Sequence, residues 1–242
     1  LEAIRLSILI PAYNESEHIE QMWSRLQEVE LGSICTEWEY VFINDCSTDS
    51  TREVILKLIE SRKDARLLDH EQNKGKGAAI LTGVQAAKYD LIIIQDADLE
   101  LLPIDILLML ETMLKYNLDF VNGSRYMPGL IRPLYSYRRY FANQLFTRLA
   151  SVLINVRLTD LACGYKLFRR QMYLDIDLKE ERFGIDAELL IKAALRAKTS
   201  IAEVPVHYFP RNKGEGKKMT NWDGLRILKT IIKYGLFRRR KG

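Results

Sequence analysis

Asp96, Asp98 and Glu100 stand at alternate positions directly behind the apolar run Leu91-Ile92-Ile93-Ile94. Such a run reads as a strand buried on both faces, so the three carboxylates fall at its carboxyl end, where open α/β sheets place their ligands. Carboxylates gathered in a partly desolvated cleft repel one another, and a divalent cation held by hard oxygen atoms, with substrate phosphates completing its shell, relieves that repulsion. The spacing therefore points to a metal and diphosphate site. The competing reading is a strand followed by an acidic helix start, because Pro103 and Asp105 suit the first turn of a helix.

Two more loops carry acids in the same relation to a strand. Pro11-Ala12-Tyr13-Asn14-Glu15 follows one apolar run, and Asn44-Asp45-Cys46-Ser47-Thr48-Asp49 follows another. An aromatic ring beside carboxylates can stack a base and accept its N–H groups, while a helix opening after Thr48 offers free backbone N–H donors. Each set taken singly is also ordinary turn and cap chemistry. Asn73-Lys74-Gly75-Lys76-Gly77 matches neither the dinucleotide-binding glycine fingerprint nor a Walker A loop. A glycine-rich loop opening a helix, with two lysines, can still close over phosphates, although a surface turn needs the same residues.

The elements that must position these groups alternate along the first half. Strands are expected over Arg5–Ile10, Tyr40–Ile43, Ala65–Leu68, Leu91–Gln95 and Phe120–Asn122, with helices over Glu15–Glu28, from the Thr48-Asp49-Ser50 cap to Arg62, Gly77–Lys88 and 103–116. This order predicts an α/β fold with a mostly parallel sheet and helices on both faces. At 242 residues, 48% hydrophobic and 28% charged, the composition is that of a globular protein with a substantial core. Cys35, Cys46 and Cys163 are widely spaced and show no zinc pattern, so a reducing compartment is the default. No apolar run reaches the ~18 residues of a membrane span, and the N-terminus shows no signal-peptide pattern. Net charge is only +4, but Lys229, Lys233, Arg238, Arg239, Arg240 and Lys241 crowd the end without an acid, interleaved with Ile231, Ile232, Leu236 and Phe237. That segment reads either as a helix on an anionic membrane or as a packed helix with a solvated tail, and no motif accompanies it to suggest nucleic acid.

The ordered set Pro11 to Glu15, Asn44-Asp45 with its Ser-Thr-Asp-Ser-Thr sequel, Gly75-Lys76-Gly77, Asp96-Ala97-Asp98 and Gly123-Ser124-Arg125-Tyr126 resembles the successive motifs of family 2 glycosyltransferases with the GT-A fold. The likeness is strongest to the polyprenyl-phosphate branch and runs on through Leu158-Thr159-Asp160, Cys163 to Lys166, Arg182-Phe183-Gly184 with Glu188, Glu203 to Val206 and Gly214 to Lys218. It implies a single GT-A domain over 1–242: a nucleotide-sugar half over 1–124, an acceptor half over 125–220 and a basic amphipathic tail over 221–242. Pro11, Tyr13, Glu15, Ile43 and Asp45 would hold the nucleoside, with Asp45 reading the base. Asp96 and Ala97 would meet ribose or diphosphate, Lys76 would serve the donor, and Asp98 with Glu100 would bind Mg²⁺ or Mn²⁺. Arg125, Arg211 and Lys217 correspond to cations around donor diphosphate and acceptor phosphate. Glu100 replaces a common Gln of the branch, and Asn44 the first Asp of its acidic pair. The implied partners are a nucleotide-sugar donor, GDP- or UDP-linked, and a polyprenyl-phosphate acceptor, reached by peripheral contact at the cytoplasmic face of a membrane.

The chemistry stands apart from the likeness. Glycosyl transfer passes through an oxocarbenium-like state while the departing diphosphate gathers charge, which a metal and cations stabilise. Asp98, Arg125 and Asp160 are the candidate catalytic residues. A phosphate acceptor carries its own charge and attacks without a base, inverting the anomeric carbon, whereas a hydroxyl acceptor requires Asp160, Asp186 or Glu188 as base. For Asp160 a loop-bracing role competes with that of acceptor guide or base. Tyr137 to Ile154, with Arg138, Arg139 and Arg148 behind an apolar stretch from Gly129, reads as a membrane-surface helix or a core helix. A non-catalytic nucleotide-sugar-binding module is the remaining alternative.

Overall fold

A computed structural model describes residues 3–130, 136–182, 184–196, 199–211 and 221–236. Lys217, the Gly214 to Lys218 motif and the basic tail from Arg238 lie outside them. Along the chain run β1 (Arg5–Ala12), α1 (Ile19–Gln27), β2 (Glu37–Asn44), α2 (Thr51–Ile59), β3 (Ala65–Asp69), α3 (Lys76–Ala86), β4 (Leu91–Ile94), α4 (Asp105–Lys115) and β5 (Phe120–Ser124). Then follow α5 (Tyr137–Ile154), β6 (Lys166–Arg169), α6 (Arg170–Asp175), α7 (Ile185–Leu195), β7 (Ile201–Pro205) and α8 (Asn221–Leu236).

One seven-stranded sheet has the order β3-β2-β1-β4-β6-β5-β7. Neighbours are parallel except around β6, which runs antiparallel to both β4 and β5. The fold is α/β with a mixed, mostly parallel sheet between helical layers. Alternation along the strands builds both cores: Leu6, Ile8, Ile10, Phe42 and Ile93 meet α1, α2 and α4, while Leu9, Val41, Ile43, Ile92 and Ile94 meet α3, α5, α7 and α8. Burial on both faces explains why β4 is a continuous aliphatic run.

Pro11 sits inside the central strand β1 without breaking it. Its position has the parity of Leu9, whose carbonyl accepts the Gln95 N–H on the β4 side, and β4 pairing stops at Leu9↔Ile94. The missing N–H of Pro11 therefore points where no ladder remains, and pairing with β2 continues to Ala12↔Asn44.

The first helix begins four residues later than Glu15. Glu15 turns its side chain to His18 and Arg211, and Ser16 donates from both its N–H and hydroxyl to Asp49 Oδ2, so residues 16–18 form a turn. The cap expected before α2 is made by Asp49, whose Oδ1 accepts the Thr51 N–H at 3.0 Å.

Candidate active site

The loops after β1, β2 and β4 converge at one edge of the sheet and enclose a cavity of about 380 Å³. Its lining includes Pro11, Tyr13, Glu15, Asp45, Lys76, Asp96, Ala97, Asp98, Glu100, Arg125 and Arg211, residues nominated from sequence. Ile43 is placed elsewhere. Its side chain is buried in the core under α3, where the Cβ that Gly83 lacks would come within 3.0 Å of its Cδ1, so contact with a nucleoside through that side chain is closed.

The Gly75 loop is built around the Asp45 carboxylate. Oδ1 accepts the Lys74 N–H at 2.9 Å and Oδ2 accepts the Gly75 N–H at 2.7 Å, fixing Gly75 at φ +95°. The N–H donors expected to cradle phosphate at the start of α3 are taken by protein instead: Gly77 and Ala78 both donate to the Glu181 carbonyl. A Cβ on Gly77 would sit 2.3 Å from the Glu180 carbonyl oxygen, so the glycine there serves close passage of the 180–182 segment rather than a ligand.

Lys76 reaches into the cavity between two acids, 2.9 Å from Asp96 Oδ1 and 3.4 Å from Asp186 Oδ2. Burial opposes its charge, but Asp186 and Asp96 outweigh it and hold its pKa above the ordinary lysine value. Gly164 makes room for this contact, since a Cβ there would lie 2.1 Å from Asp96 Oδ2. Arg211 is the second cation, nine-tenths buried, with Nη1 3.0 Å from Glu15 Oε2, Nη2 3.2 Å from Asp98 Oδ2 and its backbone N–H on Glu100 Oε1 at 2.9 Å. It ties together the acids behind β1 and β4.

Asp98 remains short of positive charge even so. Burial, then the neighbouring Asp96 and Glu100 carboxylates, push its pKa up to about 7, against the opposing pull of Arg211. Among the described residues no three His, Cys, Asp or Glu side chains converge as a complete metal cage. Mg²⁺ and Mn²⁺ sites completed by a substrate's phosphates need only one or two protein carboxylates, and Asp98 with Glu100 supplies hard oxygen atoms in a region of excess negative charge, so the donor set fits such an ion.

Arg125 and Asp160 form one buried unit. Nε and Nη2 of Arg125 meet Asp160 Oδ2 and Oδ1 at 2.7 and 2.9 Å, and the Arg125 N–H adds a third bond to Oδ2. Asn143 and the Ala162 N–H fill Oδ1. Burial disfavours the Asp160 charge, yet the guanidinium outweighs it and keeps the carboxyl below its usual range. Asp160 therefore braces the loop and is poorly disposed to take a proton. Sequence reasoning missed what braces it in turn: Glu203 Oε2 on β7 accepts the Thr159 N–H at 2.7 Å, and Asn122 Nδ2 on β5 reaches the Asp160 carbonyl at 2.8 Å and Glu203 Oε1 at 3.0 Å. Beneath them the buried Lys166 ammonium donates to Asn122 Oδ1 at 2.7 Å. The polar type of residues 122 and 166 on otherwise apolar strands was the available signal.

Glu188, a proposed alternative base, is fully buried and accepts from the Lys179 and Glu180 N–H groups and from Lys192. Asp186 differs, for its Oδ1 is buried without a hydrogen-bond partner and the residue lines the cavity.

Comparison with known proteins matches residues 7–176 to the family model described as glycosyl transferase family 2. A dolichyl-phosphate hexose transferase of Haloferax volcanii is 30% identical over 94% of this chain and 92% of its own length. A dolichyl-phosphate beta-glucosyltransferase of Trichomonas vaginalis is 30% identical over 98% of this chain and 75% of its own. The dolichol-phosphate mannosyltransferase of Pyrococcus furiosus is 28% identical, and this chain spans 64% of it. Among solved structures, glucosyl-3-phosphoglycerate synthase from Mycobacterium tuberculosis, in complex with Mn²⁺, UDP and phosphoglyceric acid, superposes with a TM-score of 0.71 at 19% identity, over 96% of this chain and 78% of that one. The acid-bearing strand ends, the mixed sheet and these matches converge on one assignment: the chain belongs to glycosyl transferase family 2 and is a glycosyltransferase with the GT-A fold.

Proposed function

We propose that the protein moves a hexose from a nucleoside diphosphate sugar to a polyprenyl phosphate, inverting the anomeric carbon. The observation that carries this reading is the state of Asp160: locked by Arg125 and held ionised, it is unsuited to deprotonating an alcohol. A phosphate monoester attacks without such help. The names of the relatives aligned along nearly the whole chain agree with that acceptor.

In this reading Tyr13 and Asp45 hold the nucleoside, while Lys76 and Arg211 exchange their present carboxylate partners for the diphosphate and stabilise its charge as it leaves. Asp98 and Glu100 would hold Mg²⁺ or Mn²⁺, which supplies Lewis-acid neutralisation of the leaving group. Arg125, packed over Tyr126 and Tyr208, orients the acceptor-side wall of the cavity.

The acceptor's lipid requires a surface, and helices α5 and α8 offer one. Tyr137 and Phe141 are 73% and 56% exposed beside the exposed Arg138 and Arg139, and Leu225, Ile232 and Leu236 are exposed beside Lys229 and Lys233. Apolar side chains among basic ones suit insertion at anionic headgroups, which supports the reading of peripheral contact with a membrane face. Among the described residues no helix is long and apolar enough to cross a bilayer.

A hydroxyl acceptor is the second reading, favoured by the unpartnered Asp186 Oδ1 alone. Transfer from nucleotide-sugars to a short prenyl phosphate and to the matching prenyl alcohol separates the two. Preference for the phosphate, with Asp186→Asn retaining transfer, supports the first; preference for the alcohol, lost in Asp186→Asn, establishes the second.

A further inference from the structure

The hydrogen bonds around Asp45 bear on which base the cavity accepts. A carboxylate offers about four acceptor places, two on each oxygen. Oδ1 of Asp45 receives His70 Nδ1 at 2.7 Å and the Lys74 N–H at 2.9 Å, whereas among the described residues Oδ2 receives the Gly75 N–H alone, at 2.7 Å. Because a carboxylate oxygen accepts, His70 Nδ1 donates to it, and Nε2 lies 2.9 Å from the Thr82 hydroxyl, which holds the ring in place. His70 and Asp45 are both more than nine-tenths buried, so water does not exchange freely with these bonds. Oδ1 already carries two short bonds and Oδ2 one, so Oδ2 is the more open acceptor left to a base.

The common bases ask different things of that place. Guanine presents N1–H and an N2 amino hydrogen side by side and pairs with a carboxylate through both oxygens. Uracil presents a single N3–H. Cytosine and adenine set a bare ring nitrogen beside their amino group, which would face the carboxylate lone pairs. We propose that the donor is a uridine diphosphate sugar and that His70, by engaging Oδ1 of Asp45 and leaving Oδ2 as the better acceptor, is the residue that disfavours guanine. The inference rests on the reading that this cavity holds a nucleotide-sugar.

The test is calorimetric titration of the full chain with UDP, GDP and CDP in the presence of Mn²⁺, with no acceptor and no turnover. UDP is expected to bind at least about tenfold more tightly than GDP, since a guanine N–H left without its acceptor loses a charge-assisted bond. His70→Ala, which frees a place on Oδ1, should narrow the ratio by strengthening GDP, and His70→Gln, which can restore an N–H donor, should keep it wide. GDP binding as tightly as UDP to the unmodified protein overturns the proposal and leaves the nucleotide-sugar reading standing. Failure of all three nucleotides to bind overturns both.

Discussion

Replacing Asp160 by Asn tests the view that this acid is a brace. The carboxylate is fully buried and receives five donors: Oδ2 takes the N–H and Nε of Arg125, and Oδ1 takes Arg125 Nη2, Asn143 Nδ2 and the Ala162 N–H. An asparagine retains one oxygen, so at best the Oδ1 set survives while two Arg125 donors face an amide that also donates. A buried donor left unmet costs about 1–3 kcal/mol, and breaking a buried ion pair from one side about 3–5 kcal/mol, so the two routes agree on a loss near 4 kcal/mol. For a chain of this size that lowers Tm by roughly 10 °C, readable by calorimetry or circular dichroism. Removing both charges, as Arg125→Met with Asp160→Leu, should cost less than the single change, because no guanidinium is stranded. The pH dependence has a fixed sign. A carboxyl whose folded pKa is depressed contributes stability above the ordinary carboxyl range and loses it as pH falls through the folded value, so Asp160→Asn should flatten the acid limb of the stability curve. A Tm shift of only a degree or two, or an acid limb identical to that of the unmodified protein, would show that Asp160 does not brace the loop through its charge.

Other perturbations separate the roles of neighbouring residues. Asp98→Ala should lose Mn²⁺ binding, followed by paramagnetic relaxation of water protons, while its circular dichroism stays unchanged; retained binding would remove Asp98 from the metal site. Gly77→Ala should destabilise the protein by about 2 kcal/mol or more, since its Cβ would press on the Glu180 carbonyl, and a stability equal to that of the unmodified protein in urea unfolding would show that the contact gives way easily. Tyr137→Ser with Phe141→Ser should weaken sedimentation with anionic vesicles but leave transfer to a short soluble prenyl phosphate intact, and unchanged sedimentation would exclude this helix as the lipid contact. Glu203→Gln, which sets an amide against the Thr159 N–H or Asn122 Nδ2, should impair the acceptor side while donor binding stays normal in calorimetry.

The first half of the chain was legible because its signals are local. Aliphatic runs at Leu6–Ile10 and Leu91–Ile94 announce doubly buried strands, and the polar loops behind them fall at one sheet edge by the rules of parallel topology. The second half was not. Strand β6 is only Lys166–Arg169, flanked by charge at both ends, and it enters the sheet against the direction of its neighbours, which no local pattern encodes. The spacing of the acids behind the strands put them at one sheet edge but did not give their partners. That Lys76 meets Asp186 and Arg211 meets Glu15 depends on contacts spanning 110 and 196 residues. The choice between a phosphate-closing loop and a turn at Gly75 stayed open for the same reason: the carbonyl that takes the Gly77 and Ala78 N–H groups comes from Glu181, more than a hundred residues away.

The position of β6 between β4 and β5 also dictates an order of events during synthesis. Among the described strands β5 at Phe120–Ser124 pairs with β6 and β7, so a nascent chain that has emerged through residue 124 holds a β3-β2-β1-β4 half whose β4 edge awaits its partner and a fifth strand with no strand beside it. Roughly forty more residues must leave the ribosome before that edge closes, which at about 5–20 residues per second is a wait of a few seconds. Throughout it the unpaired flank of Leu91–Ile94, four aliphatic residues without a charge or proline to guard them, is the segment on which a chaperone would have most to do.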